Sequence, residues 1–159
     1  MCSAIALRRI KKWIVIDQDE GCLNRIRQKY RLAELETVHG SVADLLRNRI
    51  DLGPIDCFYS AGLFDYLSQR LASRTVAKMF DYLRPGGLLV ISNFAADSSG
   101  RDFMHAFMDW NLIYRDEREM RQLTELVPKN HFEELRVWRD ELKNIIYLSL
   151  RKKTSIQSG

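Results

Sequence analysis

The sequence predicts an α/β fold: a mostly parallel sheet covered by helices and closed by a C-terminal antiparallel hairpin. Three observations carry that expectation. Short apolar or β-branched runs at 13–17, 36–39, 55–59 and 88–91 alternate with stretches whose apolar residues recur at helical spacing. The connections between them are short, and a βαβαβαβ order of that kind lays its strands parallel with helices on both faces. From Phe132 onward the order changes to two extended runs about a polar turn, the pattern of a hairpin.

Trp13–Asp17 (Trp-Ile-Val-Ile-Asp) is a β-branched run ending in an acid. Gln18, Asp19 and Glu20 then offer a cap for a helix whose apolar face is Cys22, Leu23, Ile26 and Tyr30. Glu36–His39 is a second short strand, followed by a helical turn through Val42, Leu45 and Leu46 and a loop at Gly53-Pro54. Ile55–Tyr59 is the third strand and Ser60-Ala61-Gly62 its turn. Leu67, Leu71, Val76, Met79, Phe80 and Leu83 then draw one face of a long helix. Arg84-Pro85-Gly86-Gly87 stops that helix, because proline lacks a donor and glycine frees the backbone. Leu88–Ile91 is a continuous apolar strand of the kind buried on both faces. Residues 101–127 read as helices broken near Tyr114–Asp116. Phe132–Trp138 and Asn144–Leu150 form the hairpin about Arg139–Lys143. The expected organisation is one domain over 1–153 with a frayed tail over 154–159.

At 159 residues the chain has room for one domain with a real core. Hydrophobic residues at 46% and charged residues at 29% place it among soluble globular proteins, and no apolar run approaches the ~20 residues of a membrane span. Arg8, Arg9, Lys11 and Lys12 are not followed by the apolar stretch of an export signal, so a cytoplasmic location is expected. Cys2, Cys22 and Cys57 are odd in number and widely spaced, which fits reduced thiols. His39, His105 and His131 stand singly, without zinc-ligand spacing, and no metal site is predicted. The net charge of +4 lies largely at the two ends, without the alternating aromatics of a single-strand platform, so a solvated surface is expected rather than nucleic-acid binding.

Ligands of open parallel sheets bind beyond the carboxyl ends of the strands, which directs attention to the residues after each run. Asp17 ends the first strand, where an acid can accept hydrogen bonds from both ribose hydroxyls of a nucleoside cofactor or can cap the following helix. Gly40-Ser41-Val42 follows the second, where a backbone N–H and a short polar side chain meet an adenine edge or start a helix. Tyr59-Ser60-Ala61-Gly62 follows the third, with small residues that allow close approach to the backbone. Tyr59, Phe64, Tyr66, Asn93, Phe94 and the segment 103–114, with Met104, Phe107, Met108 and Trp110, read either as an apolar substrate wall or as core packing.

Acid, polar turn and small-residue turn in this order resemble the class I S-adenosylmethionine-dependent methyltransferases over residues 13–152. Ile14–Asp17 resembles that family's second strand with its ribose-binding acid, His39–Val42 its adenine-side turn and Asp56–Gly62 its fourth strand. Leu83–Ile91 looks like the turn into its fifth strand, and the hairpin like its sixth and seventh. A nicotinamide-binding Rossmann domain would continue instead with parallel βα units.

The resemblance implies a Rossmann-like methyltransferase fold with S-adenosylmethionine as cofactor, held by Asp17, Gln18, Ser41, Val42, Tyr59, Ser60, Ala61 and Gly62. Ser60–Leu67, Ser92–Phe94 and Asp109–Asp116 are similar to bacterial methyltransferases that make methyl esters of hydroxy fatty acids. That similarity implies methyl transfer to a carboxylate of a small-molecule, acyl-chain substrate. Tyr114 and Arg115 are the pair expected to meet the carboxylate, since guanidinium binds it bidentately.

Two departures stand out. Ser41 occupies a place where most of the family carries an acid. The family's first strand and glycine-rich loop have no counterpart, because residues 1–12 contain no glycine and read as the end of a helix. The expected strand would stand between those ending at Asp17 and Tyr59. Its loss would impair catalysis and leave two inner edges open, which invites pairing with another chain. The alternative function is therefore a non-catalytic Rossmann-like module that self-associates as a homo-oligomer or binds a partner through those edges.

Overall fold

A computed structural model describes residues 10–30, 32, 34–99 and 111–154. The chain gathers into two compact units, Met1–Leu52 and Gly53–Gly159.

In the first unit, β1 (Trp13–Asp17) and β2 (Leu35–His39) pair in parallel, with Trp13 opposite Leu35 and Asp17 opposite His39. Between them runs α1 (Glu20–Lys29), which follows from a local program. Asp19 caps it by accepting from the amides of Gly21 (2.7 Å) and Cys22 (3.3 Å). Glu20 in the first turn and Arg27 and Lys29 in the last complement the helix dipole. Of the apolar face expected for this helix, Leu23 is fully buried, whereas Tyr30 has become the C-cap residue and is exposed beneath the Lys29 ammonium. The short α2 (Val42–Leu46) follows β2. Among the described residues, Leu23, Leu45, Ile50 and Leu52 are the buried apolar side chains of this unit.

The second unit begins with β3 (Ile55–Ser60), a 3₁₀ turn (Phe64–Tyr66) and α3 (Gln69–Asp81). The helix expected from Leu67 is thus interrupted, and Leu67 itself is the cap of the 3₁₀ turn. β4 (Leu83–Phe94), α4 (Glu117–Gln122), β5 (Phe132–Arg139) and β6 (Ile145–Lys152) complete it. The sheet order is β3-β4-β6-β5, with β3 and β4 parallel and the two remaining pairs antiparallel. Among the described strands, parallel pairing is therefore confined to β1–β2 and β3–β4, and the sheet of this unit is mixed.

Arg84–Gly87 loops out between two registers, since Ile55 faces Leu83 and Cys57 faces Leu88. Gly86 has φ 77°, and a Cβ on Gly87 would stand 2.8 Å from the Arg84 carbonyl, so both glycines are required. Beyond that bulge, β4 alternates: Leu89 and Ile91 are buried, Leu88 and Val90 only partly. The expectation of burial on both faces holds for one face; α3 lies against β4, and its Val76, Met79 and Phe80 are buried too. Ile146, Leu148 and Leu150 add the inward face of β6. Burying one such side chain stabilises the fold by about 1.5–3 kcal/mol.

Of the helices expected over 101–127, only α4 falls among the described residues, and 101–110 lie outside them. No described helix is long and apolar enough to cross a membrane.

Candidate functional site

At the carboxyl end of β1 the structure distinguishes the two readings of Asp17. Asp19, not Asp17, caps α1. Asp17 Oδ1 accepts from the Asp19 amide (2.8 Å), its carbonyl accepts from the Gly40 amide (3.0 Å), and among the described residues its Oδ2 takes no hydrogen bond. The carboxylate is half-buried, and the neighbouring Gln18 is exposed with its carbonyl 3.0 Å from the His39 ring nitrogen. The ends of β1 and β2 are thereby tied together, with one carboxylate oxygen left over.

Ser41 follows the other reading, that of a helix start. Its hydroxyl donates to Asp44 Oδ2 (2.6 Å) and accepts from the Asp44 amide (3.2 Å), while its own amide donates to the same carboxylate (3.0 Å). These bonds to Ser41 hold the Asp44 carboxyl below its usual range. Val42 is the first residue of α2, where backbone amides have no partner within the helix. Sequence reasoning missed Asp44, although Ser41-x-x-Asp44 is a readable capping pattern.

In the second unit, Tyr59 near the end of β3 is 62% exposed, Ser60 is half-buried, and Ala61 and Gly62 are exposed. Gly62 has φ 79° and nothing within 4 Å of the place a Cβ would take, so this turn is open on its outer side.

Arg115 has a placement that overturns its expected role. It is 1% exposed. Nη1 donates to the Phe64 carbonyl (2.7 Å) and to Asn93 Oδ1, Nη2 to the Leu67 carbonyl, and Nε to Gln69 Oε1 (3.0 Å). A guanidinium engaged on every nitrogen inside the protein does not grip a substrate carboxylate. Burial lowers its pKa, opposed by the charges of Asp65 and Glu119. Tyr114 is half-buried, its ring 6.2 Å from that of Phe94.

Asp65, which the sequence did not single out, is also buried. Its Oδ1 accepts from the Phe94 amide (2.7 Å) and its carbonyl from the Ile113 amide (2.7 Å). Loss of hydration raises its pKa against the pull of that amide. Of the expected substrate wall, Phe64 and Asn93 are buried parts of this network and Phe94 is half-buried. Tyr66 is exposed, and 103–110 lie outside the described residues. Nothing in sequence spacing signals Asp65 or Gln69, whose partners lie 29 to 50 residues away.

A family model described as a methyltransferase domain matches residues 2–87. No curated protein matches the chain significantly. Among solved structures, a possible exported protein of Bordetella parapertussis is similar at 21% identity and a TM-score of 0.67, over 89% of this chain and 53% of that one. The N-methyltransferase NodS of Bradyrhizobium japonicum, in complex with S-adenosylhomocysteine, is similar at 17% identity and TM-score 0.61, over 89% and 67%. The magnesium protoporphyrin IX methyltransferase of Synechocystis, also with S-adenosylhomocysteine bound, is similar at 12% identity and TM-score 0.62, over 88% and 64%. The chain thus spans about half to two thirds of the length of these structures. At such identities the likeness concerns the fold, the Rossmann-like fold of the methyltransferases. The family match itself runs from before β1 through the turn in β4, more than half of the 159 residues, and the chain belongs to the methyltransferase domain family.

Proposed function

We propose that the protein is an S-adenosylmethionine-dependent methyltransferase. The observation that carries this reading is Asp17: it ends a parallel strand, is relieved of capping by Asp19, and keeps one carboxylate oxygen for a ligand, within a chain of the methyltransferase domain family. A pair of ribose hydroxyls is a fitting donor set for that oxygen. The structural likeness to two methyltransferases solved with S-adenosylhomocysteine supports the same cofactor. Gln18 and the start of α2 at Val42 flank the acid on the nucleoside side. Ser41 contributes through the geometry of the turn, since its hydroxyl is engaged with Asp44. In the second unit, Tyr59–Gly62 offers an open turn at the end of a parallel strand.

S-adenosylmethionine supplies a methyl group on a sulfonium, open to in-line displacement. The protein's task is to orient a nucleophile and exclude water, and orientation of this kind lowers a barrier by about 7–11 kcal/mol. A carboxylate acceptor requires no general base. An acyl-chain acid is the acceptor favoured here, supported by the exposed Tyr59, Tyr66 and Ile113 at the carboxyl ends of β3 and β4. Calorimetric titration with S-adenosylmethionine and S-adenosylhomocysteine, with Asp17→Ala alongside, tests the reading. Saturable binding lost in the variant is the expected result, and no heat at millimolar cofactor from a folded chain would remove the activity. Transfer of labelled methyl to a long-chain hydroxy fatty acid tests the acceptor.

One observation favours a second reading. Among the described residues β1 pairs only with β2, and β3 only with β4, so each has an edge able to accept another strand. Self-association or partner binding through such an edge would appear as a mass that rises with concentration in sedimentation, and a strict monomer would count against it.

A further inference from the structure

The buried polar network of the second unit is larger than packing alone requires. A guanidinium removed from water carries a desolvation cost, and a buried charged cluster replaced as a whole by apolar side chains is often no less stable. Here the cation has no carboxylate in direct contact among the described residues and is satisfied by neutral oxygens instead. What it gains is geometry, since a fully bonded buried network fixes one arrangement of the segments it joins.

The segments joined are three. Arg115 binds the carbonyls of Phe64 and Leu67, one on either side of Tyr66 along the chain. Asp65, between them, accepts from the amides of Phe94 and Ile113 through side chain and carbonyl respectively. Asn93 Nδ2 donates to the carbonyls of Ile113 (2.7 Å) and Phe94 (3.0 Å), and Arg115 pairs with Ala95 as a parallel bridge. The 3₁₀ turn, the end of β4 and residues 113–115 are therefore one knot. The side chains it leaves outward are Tyr66, 54% exposed, and Ile113, 37% exposed, on backbones joined by a hydrogen bond at Asp65. That place is the carboxyl end of two parallel strands, where ligands of such sheets bind.

The geometry points to Arg115 as a positioning residue that holds Tyr66 and Ile113 as an apolar rim for the body of the methyl acceptor. The acceptor half of this inference rests on the methyltransferase reading; the positioning half does not.

The full chain labelled with 3-fluorotyrosine tests both halves, with the Tyr66 fluorine resonance assigned by Tyr66→Phe. In Arg115→Lys, which keeps the charge but not the planar fork, the Tyr66 signal is expected to shift and broaden while those of Tyr30 and Tyr147 stay in place. Gln69→Ala removes one of the arginine's acceptors and a donor to the Glu119 carbonyl, and serves if the lysine variant does not fold; it is expected to move the same resonance less. An unchanged Tyr66 signal in a folded variant would overturn the positioning role.

Titration of the unsubstituted chain with a long-chain hydroxy fatty acid is expected to move the Tyr66 signal saturably. The variants should bind it about tenfold more weakly, as expected when rim side chains must be ordered on binding. A ligand that leaves Tyr66 unmoved, or binds the variants equally, would overturn the acceptor half. S-adenosylhomocysteine titration of the same samples separates the readings: if no sample binds it, the proposed methyl transfer fails while a shifted Tyr66 resonance in the variant upholds the positioning.

Discussion

The two units handle polar groups in opposite ways. In the first, Asp17, Asp19, Ser41 and Asp44 are exposed or half-buried, and most of their hydrogen bonds reach two or three residues along the chain. In the second, Asp65, Asn93 and Arg115 are buried, and most of their bonds cross about 20 to 50 residues. Local bonds at a surface make turns that present atoms to a ligand. Long-range bonds in a core bind distant segments into one rigid frame. A single chain thus carries polar groups at surface turns and a fastened polar scaffold, and substitution of the two should have different signatures.

The sharpest test of that contrast is Arg115→Met. Methionine fills much of the volume but leaves the Leu67 carbonyl and the Asn93 amide oxygen without the arginine's donors, and the Phe64 carbonyl with the Leu67 amide alone. Leaving buried acceptors without a donor in this way costs about 1–3 kcal/mol for each group stranded. Urea denaturation should show a midpoint lowered accordingly, and hydrogen exchange should rise at Ile113, Arg115 and Ala96 first. A loss below about 1 kcal/mol, the range of an ordinary exposed pair, would break the comparison by showing the network to be dispensable.

A smaller effect is expected from Ser41→Ala. The substitution removes an N-cap hydroxyl and half of a capping box, for which about 0.5–2 kcal/mol is typical. Because that hydroxyl already serves Asp44, S-adenosylhomocysteine affinity should fall far less than in Asp17→Ala. Equal losses in the two variants, measured by calorimetry, would mean that Ser41 touches the ligand directly and that the first unit's site is not divided between presented and structural groups.

The same contrast explains what could be read from the sequence. Strand and helix positions through Leu46, the strand near 55–59, the end of the helix before Arg84–Gly87 and the closing hairpin follow from periodicity and turn residues, all of which are local. The place of Asp17 at the end of a strand is legible because it is a local one. Arg115 was misread for the complementary reason. Tyr-Arg-Asp looks like an exposed polar turn, and only the long-range approach of Phe64, Leu67 and Asn93 reveals that the arginine is buried. The spacing of Leu67 fits a helix, but the 3₁₀ turn that the network holds ends there. β4 was expected to be buried on both faces, and its apolar run cannot disclose that one face is only partly covered.

The smallest expected effect concerns protonation, and its sign differs between the units. Asp19 and Asp44 have carboxyls lowered from the ordinary 3.8, by the hydrogen bonds of Cys22 and Gly21 for the first and of Ser41 for the second. What they add to stability is present above 3.8 and is lost as pH falls through their lower folded values. Asp65 is raised from 3.8, chiefly by burial. Its folded form favours the proton, so its contribution is greatest below 3.8 and is lost as pH rises through the folded value. Titration of side-chain carboxyl carbons by nuclear magnetic resonance should therefore find Asp19 and Asp44 below the ordinary value and Asp65 above it. In Asp65→Asn the fall in stability on raising the pH just above 3.8 should shrink, because the variant has no carboxyl to ionise there. A low midpoint for Asp65 would mean that the charge of Arg115 and the Phe94 amide outweigh its loss of hydration, and would make the second unit's network an ion pair held at a distance rather than a desolvated frame.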